Sequence, residues 1–316
     1  MVGTEGDLTK RGLFSPDSSK SGIAEFREQI AGSRPIFDVV SRKLSDGRHF
    51  EPLVNAIATA VKSEGGRHLL FVRPHPDVVN FTSTAEEVVK GKSYIGGVDL
   101  IRAVSQPYEE IVDRLGRDRV KQPWRAFLMD WRDAYDNMAI AGGRDSGHTR
   151  NHFLSFGARG NALLQQMGLT MLGIDAEIVE PRKVVAFDDS EGFDAINEKD
   201  TKSELGLALR SKDSAQVLLL PAQTGDMTRT IGGEKRTGPG FLSRGEPDAV
   251  IADQAVRMAR FVNPAEINFW VPYGTTDYKL YRGFLNTQLG ETTNTRVNFA
   301  FPNTSFPDKQ EFKFRG

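Results

Sequence analysis

Cysteine is absent from the chain, which removes disulfides, thiolate zinc sites, iron–sulfur ligation and cysteine nucleophiles from consideration. A surplus of charge is missing too. Lysine and arginine (41) nearly balance aspartate and glutamate (42), so no overall field draws the chain to nucleic acid or an anionic membrane. No apolar run approaches the ~18 residues of a membrane helix, and the polar N-terminus lacks the apolar core of a secretion signal. We therefore expect cytoplasmic synthesis and no membrane partner. The GxSxG elbow, GxGxxG and GxxxxGK phosphate loops, HExxH and paired-cysteine zinc patterns are also lacking, and no cofactor is expected. The adjacent acids Glu109-Glu110 and Asp188-Asp189 read as solvated pairs. No internal repeat or low-complexity tract is found.

What remains is globular: 39% hydrophobic and 26% charged over 316 residues, enough for one large domain or two ordinary ones. The chain is organised around Pro123 to Glu180. Trp124, Phe127, Leu128, Trp131, Tyr135 and Met138 recur at three- and four-residue spacing, one face of a helix. Arg125, Asp130, Arg132, Asp133 and Asp136 take the wet face. Pro123 suits the first turn, and Gly142-Gly143 ends the run. Each aromatic can remove roughly 150–250 Å² from water, so this face is a core anchor.

A second helix, about His152 to Gly168, carries Phe153, Gly157, Gly160, Leu164 and Met167 along one side. Retaining glycines that cost on the order of 1 kcal/mol each relative to alanine implies a close neighbour. Between the helices, His148 and His152 stand four apart, the spacing that can place two imidazoles beside one metal. Thr149, however, stands where a zincin-type hydrolase would put its glutamate, and only Asp145 is near as a third ligand. An ordinary polar connection with Ser146 as helix cap is preferred; anion or nucleic-acid contact through Arg144 and Arg150 is the third reading.

Residues 1–22 read as an arm whose charges cancel. Ile23 to Leu44 looks helical, cut at Pro35, and Glu51 to Ser63 makes a helix ended by Gly65-Gly66. His68 to Arg73 is a buried strand, and His75 sits in a proline turn. Ser105 precedes a helix ordered along its dipole, from Glu109 and Glu110 to Arg114. Arg114, Arg117, Arg119, Lys121 and Arg125 form a local basic patch, read chiefly as solvated surface with phosphate contact as the alternative. Ile174 to Val179, Val184 to Phe187, Gln216 to Leu220, Glu266 to Val271, Arg296 to Phe301 and Gln310 to Phe314 read as strands. Pro247 to Phe261 is an amphipathic helix, and Tyr278 to Leu285 a short helix or turn. A calcium loop at Asp188 to Asp194 is disfavoured, because Phe193 occupies the glycine position. Thr224 to Gly245 is a long Gly/Thr/basic connection, of the length that is usually functional or disordered; a protruding hairpin contacting another subunit is the preferred reading.

The expected fold class is α+β (mixed), with a helix-rich N-terminal half and a sheet-containing C-terminal half. The segments are an arm at 1–22, a helix-rich region at 23–170, and a mixed α/β region at 171–316 with its long loop at 224–245. Pro247 to Leu285 resembles the late part of tailed-phage shell proteins over about 40 residues. The preferred function is a self-assembling structural protein: a viral or phage capsid subunit, located in the virion. Its partners are other copies of itself, touched through Arg11, Phe14, Arg229, Lys235, Arg236 and Phe241, with nucleic acid as a further partner at the basic patches. The alternative is a hydrolase or other enzyme with a His-centred, metal-dependent site at Asp145, His148 and His152.

Overall fold

A computed structural model describes residues 34–75, 97–141, 146–188, 196–210, 215–231, 233–242, 247–272, 295–302 and 308–311. The chain is a mixed α and β fold with a helix-rich first half, as expected, and its main sheet draws strands from both halves. In chain order the strands are β1 (Ile36–Val40), β2 (His68–Val72), β3 (Ala176–Ile178), β4 (Ala186–Phe187), β5 (Val217–Pro221), β6 (Thr224–Ile231), β7 (Glu234–Phe241), β8 (Glu266–Trp270), β9 (Arg296–Phe301) and β10 (Asp308–Glu311). The helices are α1 (Gly47–Glu64), α2 (Gly97–Leu115), α3 (Arg117–Ala141), α4 (Ser146–Met171), α5 (Glu198–Arg210) and α6 (Pro247–Val262).

The described strands form a seven-stranded sheet in the order β10-β9-β8-β1-β2-β5-β3. Its pairs are parallel except β10 on β9. Strands such as VLLLP and HLLFV are buried at every position, the unbroken apolar run of a parallel sheet covered on both faces. One face, with Val40, Leu70, Val72, Leu219 and Trp270, meets α1 through α4. The other, with Phe37, Phe71, Leu220, Phe269 and Phe299, meets α5 and α6. The chain leaves β1 toward β2 on one side and returns to it as β8 on the other. That reversal is where such sheets open a crevice at the carboxyl ends of their strands.

Ile36–Val40 is a strand, not part of the helix expected over Ile23 to Leu44. Its Ile, Phe and Val side chains, buried on both faces, favour extended backbone. The long 224–245 connection is largely β6 and β7, paired from Thr224↔Phe241 to Ile231↔Glu234; β4 joins β6 to complete a second sheet. The hairpin's root is not a free projection, because Met227, Phe241 and Leu242 are buried in the chain's own core.

The aromatic helix behaves as its spacing predicts. Trp131, Tyr135 and Met138 are fully buried, and Trp131 stacks on Phe156 of α4 with ring centroids 6.1 Å apart. Tyr108 of α2 ties this layer to the sheet: its hydroxyl donates to the Gly157 carbonyl at 2.7 Å and accepts from the His75 N–H at 3.2 Å. Among the described residues no helix is long and apolar enough to cross a membrane.

Candidate active site

At the carboxyl ends of β3 and β5 lies a crevice of about 380 Å³. Its floor is α4, where His152, Ser155 and Arg159 follow the three- and four-residue steps of one helix face. One wall is the turn Pro181–Lys183 that follows β3 and brings in Glu180, Arg182 and Lys183. The other is the hairpin root, with Thr224, Asp226, Pro239 and Gly240.

The root is fixed from beneath. The Pro239 carbonyl lies 3.2 Å from both His148 Nδ1 and Asn151 Nδ2 of α4. Gly238 makes the approach possible, since a Cβ there would stand 2.7 Å from the His148 ring. Gln223, between β5 and β6, holds φ 65°, in the left-handed region that a side chain rarely adopts. Its N–H donates to Gln254 Oε1 and its side-chain amide to the Leu242 carbonyl, both at 2.9 Å. Backbone strain of this kind persists where surrounding contacts over-determine it, commonly at functional sites.

Charge in the crevice is predominantly positive. Arg182 Nε donates to Asp226 Oδ1 at 2.6 Å. The Arg159 guanidinium lies 4.7 Å from the Phe156 ring centroid. Neither Arg159 nor Lys183 has a carboxylate partner among the described residues. His152 is half-buried with its edge on Phe156. Burial first, then the charges of Arg159 and Arg182, hold its imidazole below the ordinary histidine range, against a smaller opposing pull from Glu180. A neutral imidazole beside cations that hold an anion can act as a base toward it.

A second polar feature runs across the sheet on its α1–α4 face. Asp38, in mid-β1 and fully buried, meets His68 Nδ1 at 2.7 Å. Its other oxygen accepts from Asn268 at 3.0 Å and from Trp270 Nε1 at 2.8 Å, and Asn298 donates to Asn268 at 2.9 Å. Burial would raise the Asp38 carboxyl; the His68 imidazole and the hydrogen bonds outweigh it, leaving the group below the usual carboxylate range.

The residues singled out in the sequence are dispersed. His152 lines the crevice, whereas His148 faces the hairpin; Asp145 lies outside the described residues. No group of three metal-ligating side chains occurs among the described residues. Arg11 and Phe14 lie outside the described residues. Lys235 and Arg236 are exposed, Phe241 is buried, and Arg229 Nε contacts Met227 Sδ at 3.1 Å. Sequence reasoning missed Arg159, Arg182, Lys183 and Thr224. The available signal was the one-face spacing of His152, Ser155 and Arg159 together with a Pro-Arg-Lys turn directly after a strand.

No protein-family profile and no curated protein sequence matches this chain. Solved structures do share its fold. E. coli aspartokinase III with aspartate and ADP (R-state) is similar at TM-score 0.63 and 13% identity, over 89% of this chain and 65% of that one. The same enzyme with lysine and aspartate (T-state) gives 0.57 and 15%, over 76% and 49%. Clostridium acetobutylicum aspartate kinase gives 0.52 and 16%, over 76% and 48%. The chain thus spans about half to two-thirds of the length of these proteins, and at such identity the likeness is one of fold. It overturns the expected capsid subunit and its virion location. Of the Pro247 to Leu285 succession that suggested a shell protein, Pro247–Val262 covers the parallel sheet and Glu266–Trp270 is one of its strands, while Tyr278 to Leu285 lies outside the described residues.

Proposed function

We propose that this protein is an enzyme that binds a small anion, a carboxylate or phosphate, in the crevice between α4 and the hairpin root, with His152 as its general base. The observation that carries this reading is the convergence of Arg159, Lys183 and a depressed-pKa His152 on one concavity. Cations at the carboxyl end of a parallel sheet bind anions through charge-assisted hydrogen bonds, each worth about 1.5–3 kcal/mol. The aspartate in both aspartokinase III structures supports the choice of carboxylate.

Calorimetry with L-aspartate and with inorganic phosphate tests the reading. At least one should bind the wild type saturably, and Arg159→Ala and Lys183→Ala should each weaken it by roughly ten- to a hundredfold. Binding that neither substitution changes, or no binding of either probe at millimolar concentration, overturns it.

A further inference from the structure

We infer that the carboxyl end of β1 is closed to nucleotide phosphates in this protein, so that chemistry in the His152 crevice draws no phosphoryl group from a nucleotide seated there. The site in question is the one the topology favours. β1 stands at the reversal of strand order, and α1 begins from its carboxyl end, the usual seat of a phosphate in a doubly wound sheet.

Such a seat works by aiming unspent backbone N–H groups at the anion. Here four donors of the connection and of the first turn of α1 are turned inward. Lys43 N–H donates to Ser41 Oγ at 3.4 Å. Leu44 N–H donates to the Ser41 carbonyl at 2.9 Å and Ser45 N–H to the Arg42 carbonyl at 3.1 Å. In the first turn of α1, His49 N–H donates to Asp46 Oδ1 at 3.0 Å.

Two carboxylates also line the seat. The Asp46 cap places a carboxylate on the helix axis, where it further contacts His49 Nδ1 at 2.7 Å. Glu110 of α2 brings a second: a Cβ on Gly47 would stand 2.5 Å from its Oε2, and Arg114 holds that carboxylate at 2.9 Å. Room is not what is lacking, since a cavity of about 640 Å³ opens beside Gly47, with Arg48 and His75 also in its lining. A phosphate entering it would meet the Asp46 and Glu110 carboxylates as well as the Arg48 side chain. The residues at this seat are separate from those of the crevice, and the consequence for chemistry there rests on the function proposed above.

Amide NMR of the full chain titrated with Mg–ADP, Mg–ATP and metal-free pyrophosphate separates the sites. In the wild type the Gly47, Arg48 and His49 amides should show no saturable shift with any of the three. A saturable shift there overturns the inference. In the double variant Asp46→Ser, Glu110→Gln, serine keeps the cap while both charges go, and pyrophosphate should now shift those amides saturably. A variant that stays folded and as unresponsive as the wild type also overturns it. Shifts at Arg159 report the crevice separately, so either reading can fail alone.

Discussion

The imidazole of His152 is held below its ordinary range, and that has consequences of defined sign. Its unfolded-state value is about 6.5, and the folded value lies lower. Above that range both states are neutral and the shift contributes nothing. As pH falls through about 6.5 toward the folded value, the unfolded chain takes a proton that the folded chain refuses, and stability declines. His152→Asn should therefore lose less stability than the wild type between neutral pH and about pH 5, as read from urea midpoints. An anion seated beside the ring pulls the other way by favouring imidazolium. Binding near pH 6 should then be accompanied by proton uptake, seen as a dependence of the calorimetric heat on the buffer's ionisation enthalpy.

At the level of elements, the α3–α4 layer and the hairpin root invite separate tests. Trp131 is fully buried against Phe127, Phe153, Phe156 and Tyr108, so Trp131→Ala should cost about 3–5 kcal/mol in urea unfolding. Gly238→Ala would drive a methyl into the His148 ring and should cost about 1–3 kcal/mol, with faster amide exchange in β7. Elements of this kind differ in how plainly the sequence announces them. The period of Trp124, Trp131, Tyr135 and Met138 identifies α3, and RVNFAF identifies β9 without help from the fold. β1 is hidden inside the stretch Ile23 to Leu44 that looks helical, with Asp38 interrupting the apolar run that marks a buried strand; its partners on β2 and β8 explain it. The crevice is hidden for a related reason. Arg159, Lys183 and Thr224 come from a helix, a turn and a strand that share no motif, and only the sheet topology brings them together.

For the molecule as a whole, the Asp38 network binds β2, β1, β8 and β9 into one unit. Asp38→Ala would leave His68 buried without its carboxylate and should cost roughly 3–5 kcal/mol, as one cooperative loss in chemical denaturation rather than a local one. The hydrogen bond from Trp270 to Asp38 spans 232 positions of the chain. Ribosomes add roughly 5–20 residues per second, so a nascent chain carries a half-paired central strand for some tens of seconds before its second neighbour emerges. During that interval an apolar edge and a carboxylate destined for burial stand open to other molecules. Chaperone capture of arrested nascent chains should accordingly be strong for those halted before β8 and fall sharply for those halted after β9.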